Sequence, residues 1–347
     1  MTPLLEKISI ITAIVIAAIS CRSSDNSIPI EEVMPTVKAI GQYVTDVYQD
    51  DDENLWFGTI EKGLARYDGK ELKYFTTDDG LPSDRVVSIT EDASGNIWLG
   101  TGNGISIFDG KKFRDLKLPD GICNNSISSI QFGPDSVLWI GTWGGLCTYD
   151  EGEFSSFLMP VPEVTTPINP DTKDWITEIE MDDHGIIWIA RDGSGMYRYD
   201  GKDFRHFHKK DGLLSNGVTE IEVDDKGDVW IGSRLTERDF DVKAPGSAGV
   251  NKLTDGEMTS FPVMEAFNNS EVYEIYKDRK GNIWISTVKY GVYRYDGQDF
   301  THHDVPISIM CMTEDKNGNL WLGGAGGLYR INSNGDVNYV SQAGPWE

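Results

Sequence analysis

The chain is short of cysteine, histidine, basic residues and long apolar runs, and each shortage removes a class of protein. Its four cysteines are Cys21, Cys123, Cys147 and Cys311. With Cys21 set aside at the amino terminus, an odd three remain, which is neither a disulfide scaffold nor a zinc spacing. They suit buried small hydrophobes, although Cys123 and Cys147 fall in one repeat and could pair in an oxidising compartment. The longest apolar stretch, residues 8–19, is twelve residues, whereas a bilayer span needs roughly 20. Lys and Arg number 31 against 56 Asp and Glu, a net charge of −25. Such a field repels phosphate backbones and anionic lipid, so no nucleic-acid partner is expected. Aromatics are plentiful: 10 Trp, 14 Tyr and 13 Phe supply more apolar area than a disordered chain carries.

Residues 1–20 read as a secretory signal peptide, with residues 8–19 as its apolar region. Ala18-Ile-Ser-Cys21 resembles the lipobox of bacterial lipoproteins, although Ala18 stands where Leu is usual and Glu6 dilutes the basic start. The resemblance implies that Cys21 carries a lipid. Residues 21–35 then form a polar tether, and residues 36–347 the folded domain. The expected location is the cell envelope, anchored to the outer membrane on its periplasmic or surface side.

An internal repeat governs the rest. A tryptophan preceded by an aliphatic residue recurs at Trp56, Trp98, Trp139, Trp188, Trp230, Trp284 and Trp321, spaced 42, 41, 49, 42, 54 and 37 residues apart. Each copy parses into four short strands separated by Gly, Asn and Asp, the residues that tight hairpin turns require. Four strands per roughly 40–45 residues indicate a blade, so the fold is all-β: a seven-bladed β-propeller of four-stranded antiparallel blades. The seven tryptophans recur at one place per blade and are expected to pack between blades. Whether residues 33–40 add a strand to the last blade is left open.

Gly95-Asn-Ile-Trp-Leu-Gly-Thr101, Gly63-Leu-Ala-Arg-Tyr-Asp-Gly69, Gly195-Met-Tyr-Arg-Tyr-Asp-Gly201 and the linkers Asp79-Gly-Leu81 and Asp211-Gly-Leu213 resemble the two-component regulator propeller repeat. That resemblance implies the periplasmic sensor portion of a hybrid two-component system, recognising oligosaccharides. The sequence through Glu347 holds no kinase nucleotide motif and no receiver, so signalling output is expected from another polypeptide.

In a four-stranded blade, the turns joining strands one to two and three to four open on one face. Here they are short and uniform. The other connections open on the opposite face and vary, the longest being residues 158–174 and 234–249. Variable loops on a rigid scaffold are where binding residues gather. The candidates on that face are Tyr43, Asp84, Arg85, Asn124, Asn125, Trp143, Trp175, Arg191, Asp192, Asn216, Arg234, Asn268, Lys289 and Tyr290. Aromatic faces among Asn, Asp and Arg suit a neutral or acidic sugar. Trp175→Ala and Arg234→Ala are each expected to weaken binding with little loss of folding. An oligosaccharide or an envelope protein is the expected partner.

Catalytic and metal signatures are weak. Glu91-Asp-Ala-Ser-Gly-Asn96 and Glu314-Asp-Lys-Asn-Gly-Asn319 resemble calcium loops only faintly, because strand residues follow where a bidentate Glu belongs. Their aspartates are expected to bond turn amides, although a single channel calcium stays open. Asp183-His-Gly185 and Asp225-Lys-Gly227 have the spacing of sialidase Asp-boxes but lack the preceding hydroxyl residue. His184 falls in a turn, and His206, His208, His302 and His303 fall in outermost strands, away from a channel where a base would act. Asp46, Glu178, Glu220 and Glu274 share one innermost-strand position with Ser88, Ser129 and Cys311. Paired carboxylates there would suit glycoside hydrolysis, and inter-blade hydrogen bonding is the alternative. No cofactor and no metal are expected, and pure scaffolding is a third reading.

Overall fold

The computed structural model of the protein describes residues 38–163, 173–236, 248–261 and 270–346. Residues 39–346 contain seven four-stranded antiparallel sheets, each built from four consecutive strands. Blade 2 is representative: Val86–Glu91 is innermost, followed by Ile97–Thr101, Gly104–Phe108 and the outermost Phe113–Leu116. The seven-bladed expectation therefore holds. Among the described residues, no helix is long and apolar enough to cross a membrane.

The core is divided into seven thin layers, one per seam. Trp98 of blade 2 packs with Ile127, Ile130, Leu138 and Ile140 of blade 3. Trp321 of blade 7 does the same with Val44, Val47 and Phe57 of blade 1, closing the ring. Close approach across a seam favours a small residue two positions after the tryptophan: glycine in five blades, Ala190 in blade 4 and Ser286 in blade 6. A Cβ on Gly100 would sit 2.8 Å from Ile127 Cγ2. All seven repeated tryptophans are at most 8% exposed, consistent with packing.

The turn aspartates bond turn amides, as their sequence suggests, and most do more. Asp92 Oδ1 accepts from the Ser94 and Asn96 amides, and its Oδ2 accepts from Trp98 Nε1 at 2.8 Å. The same indole bond joins Trp56 to Asp50, Trp230 to Asp224, Trp284 to Asp278 and Trp321 to Asp315.

Among the described residues, the ring closes without an exchanged strand. Ala39 bridges Ser341 and Tyr43 bridges Ala325 outside the regular strands, and Trp346 stacks on Tyr67 at 4.2 Å. Cys123 and Cys147 form a disulfide, so the reading of both as merely buried thiols is corrected; Cys311 is free and buried. The bridge ties the linker before blade 3 to the third strand of that blade, Gly145–Asp150.

Candidate ligand-binding face

Residues from four consecutive blades meet on the face of variable loops. Arg85 ends the linker into blade 2, Trp143 lies in the second-to-third-strand loop of blade 3, Trp175 precedes blade 4, and Arg234 ends the second strand of blade 5. The Arg85 guanidinium lies 5.5 Å from the Trp143 ring centroid. Trp143 and Trp175 are 5.2 Å apart at 32°, and the Arg234 guanidinium is 5.5 Å from Trp175. The result is a strip of alternating cations and rings, held by cation–π attraction at both ends.

The two ends differ electrostatically. Arg234 is 8% exposed and Asp192 fully buried; Arg234 Nη2 donates to Asp192 Oδ1 at 2.6 Å. That cation is already neutralised, which corrects the expectation that Arg234→Ala would leave folding intact. Arg85 forms no ion pair and no side-chain hydrogen bond with the described residues. Burial lowers its pKa, because a charge half out of water with no counter-charge is costly. Trp143 and Trp175 pack against each other at a tilt and each against an arginine; both rings are half-buried, and both indole nitrogens are buried without a hydrogen-bond partner among the described residues.

Several other candidates serve the scaffold. Asp84 Oδ1 accepts from the Thr77 amide, Asn125 Oδ1 from Leu118 and Asn216 Oδ1 from Lys209. In all three the donor lies seven residues earlier, so these side chains clamp the linker entering their blade. Asn124 caps a turn through the Ser126 amide. Arg191 fastens its own loop, bonding Asp174, the Lys173 carbonyl and the Pro160 carbonyl. Tyr43 sits at the seam of blades 7 and 1. Lys289 and Tyr290 are exposed on blade 6. Cys21, with the signal peptide and tether, and Asn268 lie outside the described residues.

The channel position is used mainly for joining blades. Asp46 Oδ2 accepts from the Ile89 amide at 2.6 Å, Ser88 Oγ from Ile130 at 3.1 Å, and Glu274 Oε1 from Met312 at 3.1 Å. Ser129 Oγ donates to Glu178 Oε1 across the next seam. Period-two alternation brings Glu180 and Glu222 to the same wall as Glu178 and Glu220, a pairing the sequence contained and our initial residue set lacked. Desolvation raises Asp46, Glu178 and Glu222 to about 7 and lifts Glu180, Glu220 and Glu274 well above the carboxylate range. Among the described residues, no three His, Cys, Asp or Glu stand together as a metal site.

A family model described as Two component regulator propeller matches residues 39–61, 80–103, 266–289 and 305–326. No curated protein matches the chain. Among solved structures, the extracellular domain of a hybrid two component system from B. thetaiotaomicron is similar at 24% identity and TM-score 0.68, over 87% of this chain and 40% of that one. The extracellular domain of a one component system from the same organism gives 22% identity and TM-score 0.63, over 83% and 38%. This chain thus spans about two fifths of the length of either. Virginiamycin B lyase from Staphylococcus aureus gives 17% identity and TM-score 0.57, over 73% and 83%. At these identities the likeness establishes the fold.

Proposed function

We propose that this chain is an exported, sensor-like propeller that binds an acidic or hydroxyl-rich oligosaccharide on its variable face. The observation that carries the reading is Arg85: a half-buried cation without a counter-charge among the described residues, standing at the open end of an aromatic strip. A carboxylate or a pair of sugar hydroxyls would satisfy its fork, while the accessible parts of the half-buried Trp143 and Trp175 rings would meet apolar sugar surface. The resemblance to extracellular sensor propellers supports the same class of role. Binding is favoured over catalysis because Asp46 and Glu274 spend their oxygens on the next blade's amides.

Calorimetry of the folded domain against neutral and uronate-containing oligosaccharides tests this. Arg85→Gln should weaken uronate binding about tenfold or more, as loss of a charge-assisted pair does, with little change in melting temperature. Trp143→Ala should weaken both ligand types, and Lys111→Ala on the turn face neither. Failure of every oligosaccharide to bind, or equal affinity in Arg85→Gln, would defeat the reading.

Lipid anchoring at Cys21 belongs to the same proposal. The Cys123–Cys147 disulfide supports export, since such bridges persist in oxidising compartments. Cys21→Ala should abolish palmitate labelling and release the protein from membranes; undiminished labelling would end the assignment.

A further inference from the structure

One position in the blade register is apolar in every blade but the sixth. The residue pairing the first apolar residue of the third strand is Phe75, Leu116, Phe157, Phe207, His303 and Val340 in blades 1, 2, 3, 4, 6 and 7. Phe261, bonded through its amide to the Val250 carbonyl, fills it in blade 5. Phe75, Phe157, Phe207 and Phe261 all pack on their blade's repeated tryptophan. His303 takes the same seat, its ring 5.1 Å from Trp284 and 9% exposed; the ring is within reach of the Gly335 backbone, but its buried Nε2 has no close hydrogen-bond partner among the described residues. A polar ring in an apolar seat with an unused nitrogen is a cost that packing alone does not explain.

A second anomaly stands beside it. Arg294 lies over Trp284 as Arg66 lies over Trp56 and Lys252 over Trp230. Arg66 and Lys252 are ion-paired, with Asp68 at 3.4 Å and Asp228 at 2.6 Å. Arg294 makes no ion pair within 4 Å among the described residues: Asp296, placed as Asp68 is to Arg66, acts on it only at longer range, and its Nη2 makes only a 3.5 Å contact with Thr301 Oγ1.

Both residues line a small open cleft between blades 6 and 7 on the turn face. Lys280 and the Ser333 hydroxyl stand at its edge. Of the carboxylates in its wall, Asp278 holds the Lys280 and Asn282 amides and the Trp284 indole, and Glu314 holds the Arg279 amide through Oε2 alone. Beside these carboxylates the lining carries donors: the Arg294 guanidinium, the His303 imidazole, Lys280 and Ser333.

We propose that this cleft binds a small oxyanion (carboxylate, sulfate or phosphate) between Arg294 and His303 Nε2, with Lys280 at the mouth. The anion supplies the close ion pair that Arg66 and Lys252 make with aspartates and that Arg294 does not make with Asp296. Burial and then the charges of Arg294 and His302 lower the His303 pKa, against a backbone hydrogen bond to Gly335 that raises it; a bound anion would oppose the lowering further and favour the protonated ring as a donor. The site lies on the face opposite the aromatic strip, so it is independent of the proposed oligosaccharide site.

The test is titration of the full chain with inorganic phosphate, sulfate and acetate at constant ionic strength, chloride being the control. Histidine-selective NMR follows the His303 ring, assigned by its absence in His303→Phe. That variant restores the residue found in four other blades and should fold. We expect a saturable His303 shift with at least one of the three anions, and the anion that gives it separates a carboxylate site from a tetrahedral one. Arg294→Gln should weaken binding about tenfold or more, and anion-induced rise in melting temperature should vanish in His303→Phe. The proposal fails if His303 moves no more with any of the three anions than with chloride. It also fails if Arg294→Gln binds as tightly as the parent.

Discussion

A buried indole needs an acceptor for its N–H, and in five blades the chain supplies one from an aspartate six residues earlier. Blades 3 and 4 depart from this: Gly133 stands at the aspartate position before Trp139, and Trp188 Nε1 is buried without a partner although Asp182 precedes it. Asp92→Ala should therefore cost about 1–3 kcal/mol by stranding the indole, more than Asp182→Ala, which removes only turn bonds. Equal losses in thermal melts would show that the indole bond contributes nothing. Trp98→Ala should cost about 3–5 kcal/mol. For Arg234→Ala a loss of similar size is expected, because Asp192 is left buried without its guanidinium; urea denaturation measures it, and a variant as stable as the parent would refute the ion pair's structural role. The recurrence of tryptophan made its packing role legible from sequence. The Arg234–Asp192 pair was not legible: the partners are 42 residues apart on different blades, and nothing local to either marks the other.

Linkers between blades carry polar side chains whose structural partners are not legible in the sequence. Asp84, Asn125 and Asn216 look like binding residues because they are polar and lie on the variable face, yet each closes a loop onto an amide seven residues back. In the Asp-Gly-Leu linkers the glycine takes up the left-handed region, φ 104° at Gly80 and 105° at Gly212, ending a single 3₁₀ turn. Leu81 and Leu213 then plug the seam at 4% and 3% exposure. Asn216→Ala should cost about 1 kcal/mol and leave oligosaccharide affinity unchanged, the opposite of Arg85→Gln. Parallel loss of affinity and stability would return Asn216 to the binding surface. The linker before blade 3 is additionally held by the disulfide, and the Cys123→Ala/Cys147→Ala double variant should lose about 2–4 kcal/mol, read from its melting curve against the oxidised parent. An unchanged midpoint would mean that the linker is held without the bridge.

For the molecule as a whole, the channel carboxylates tie stability to pH. Asp46, Glu178 and Glu222 are raised in the folded state to about 7, chiefly by desolvation, so between roughly pH 4 and 7 the folded protein binds more protons than the unfolded chain. Their stabilising contribution is full below the unfolded values and is lost as pH rises through the folded ones. Each keeps partial contact with channel solvent, which reduces what the shift is worth. The melting temperature should fall from pH 5 to pH 8, and Glu178→Gln should flatten the slope; a melting temperature that rises across that range would overturn this account. The ring that encloses these groups has a further property. Every blade is one uninterrupted stretch of chain, and Trp321 packs the seam of blades 7 and 1 much as the other tryptophans pack theirs. Ala39 and Ser341 are bridge partners, so the two ends of the fold lie together. The circle therefore has no obligatory starting point. A circular permutant that fuses these ends and opens between His303 and Ser308, in the linker joining blades 6 and 7, keeps every sheet whole, whereas one opened inside a blade must reassemble that sheet from opposite ends of the polypeptide.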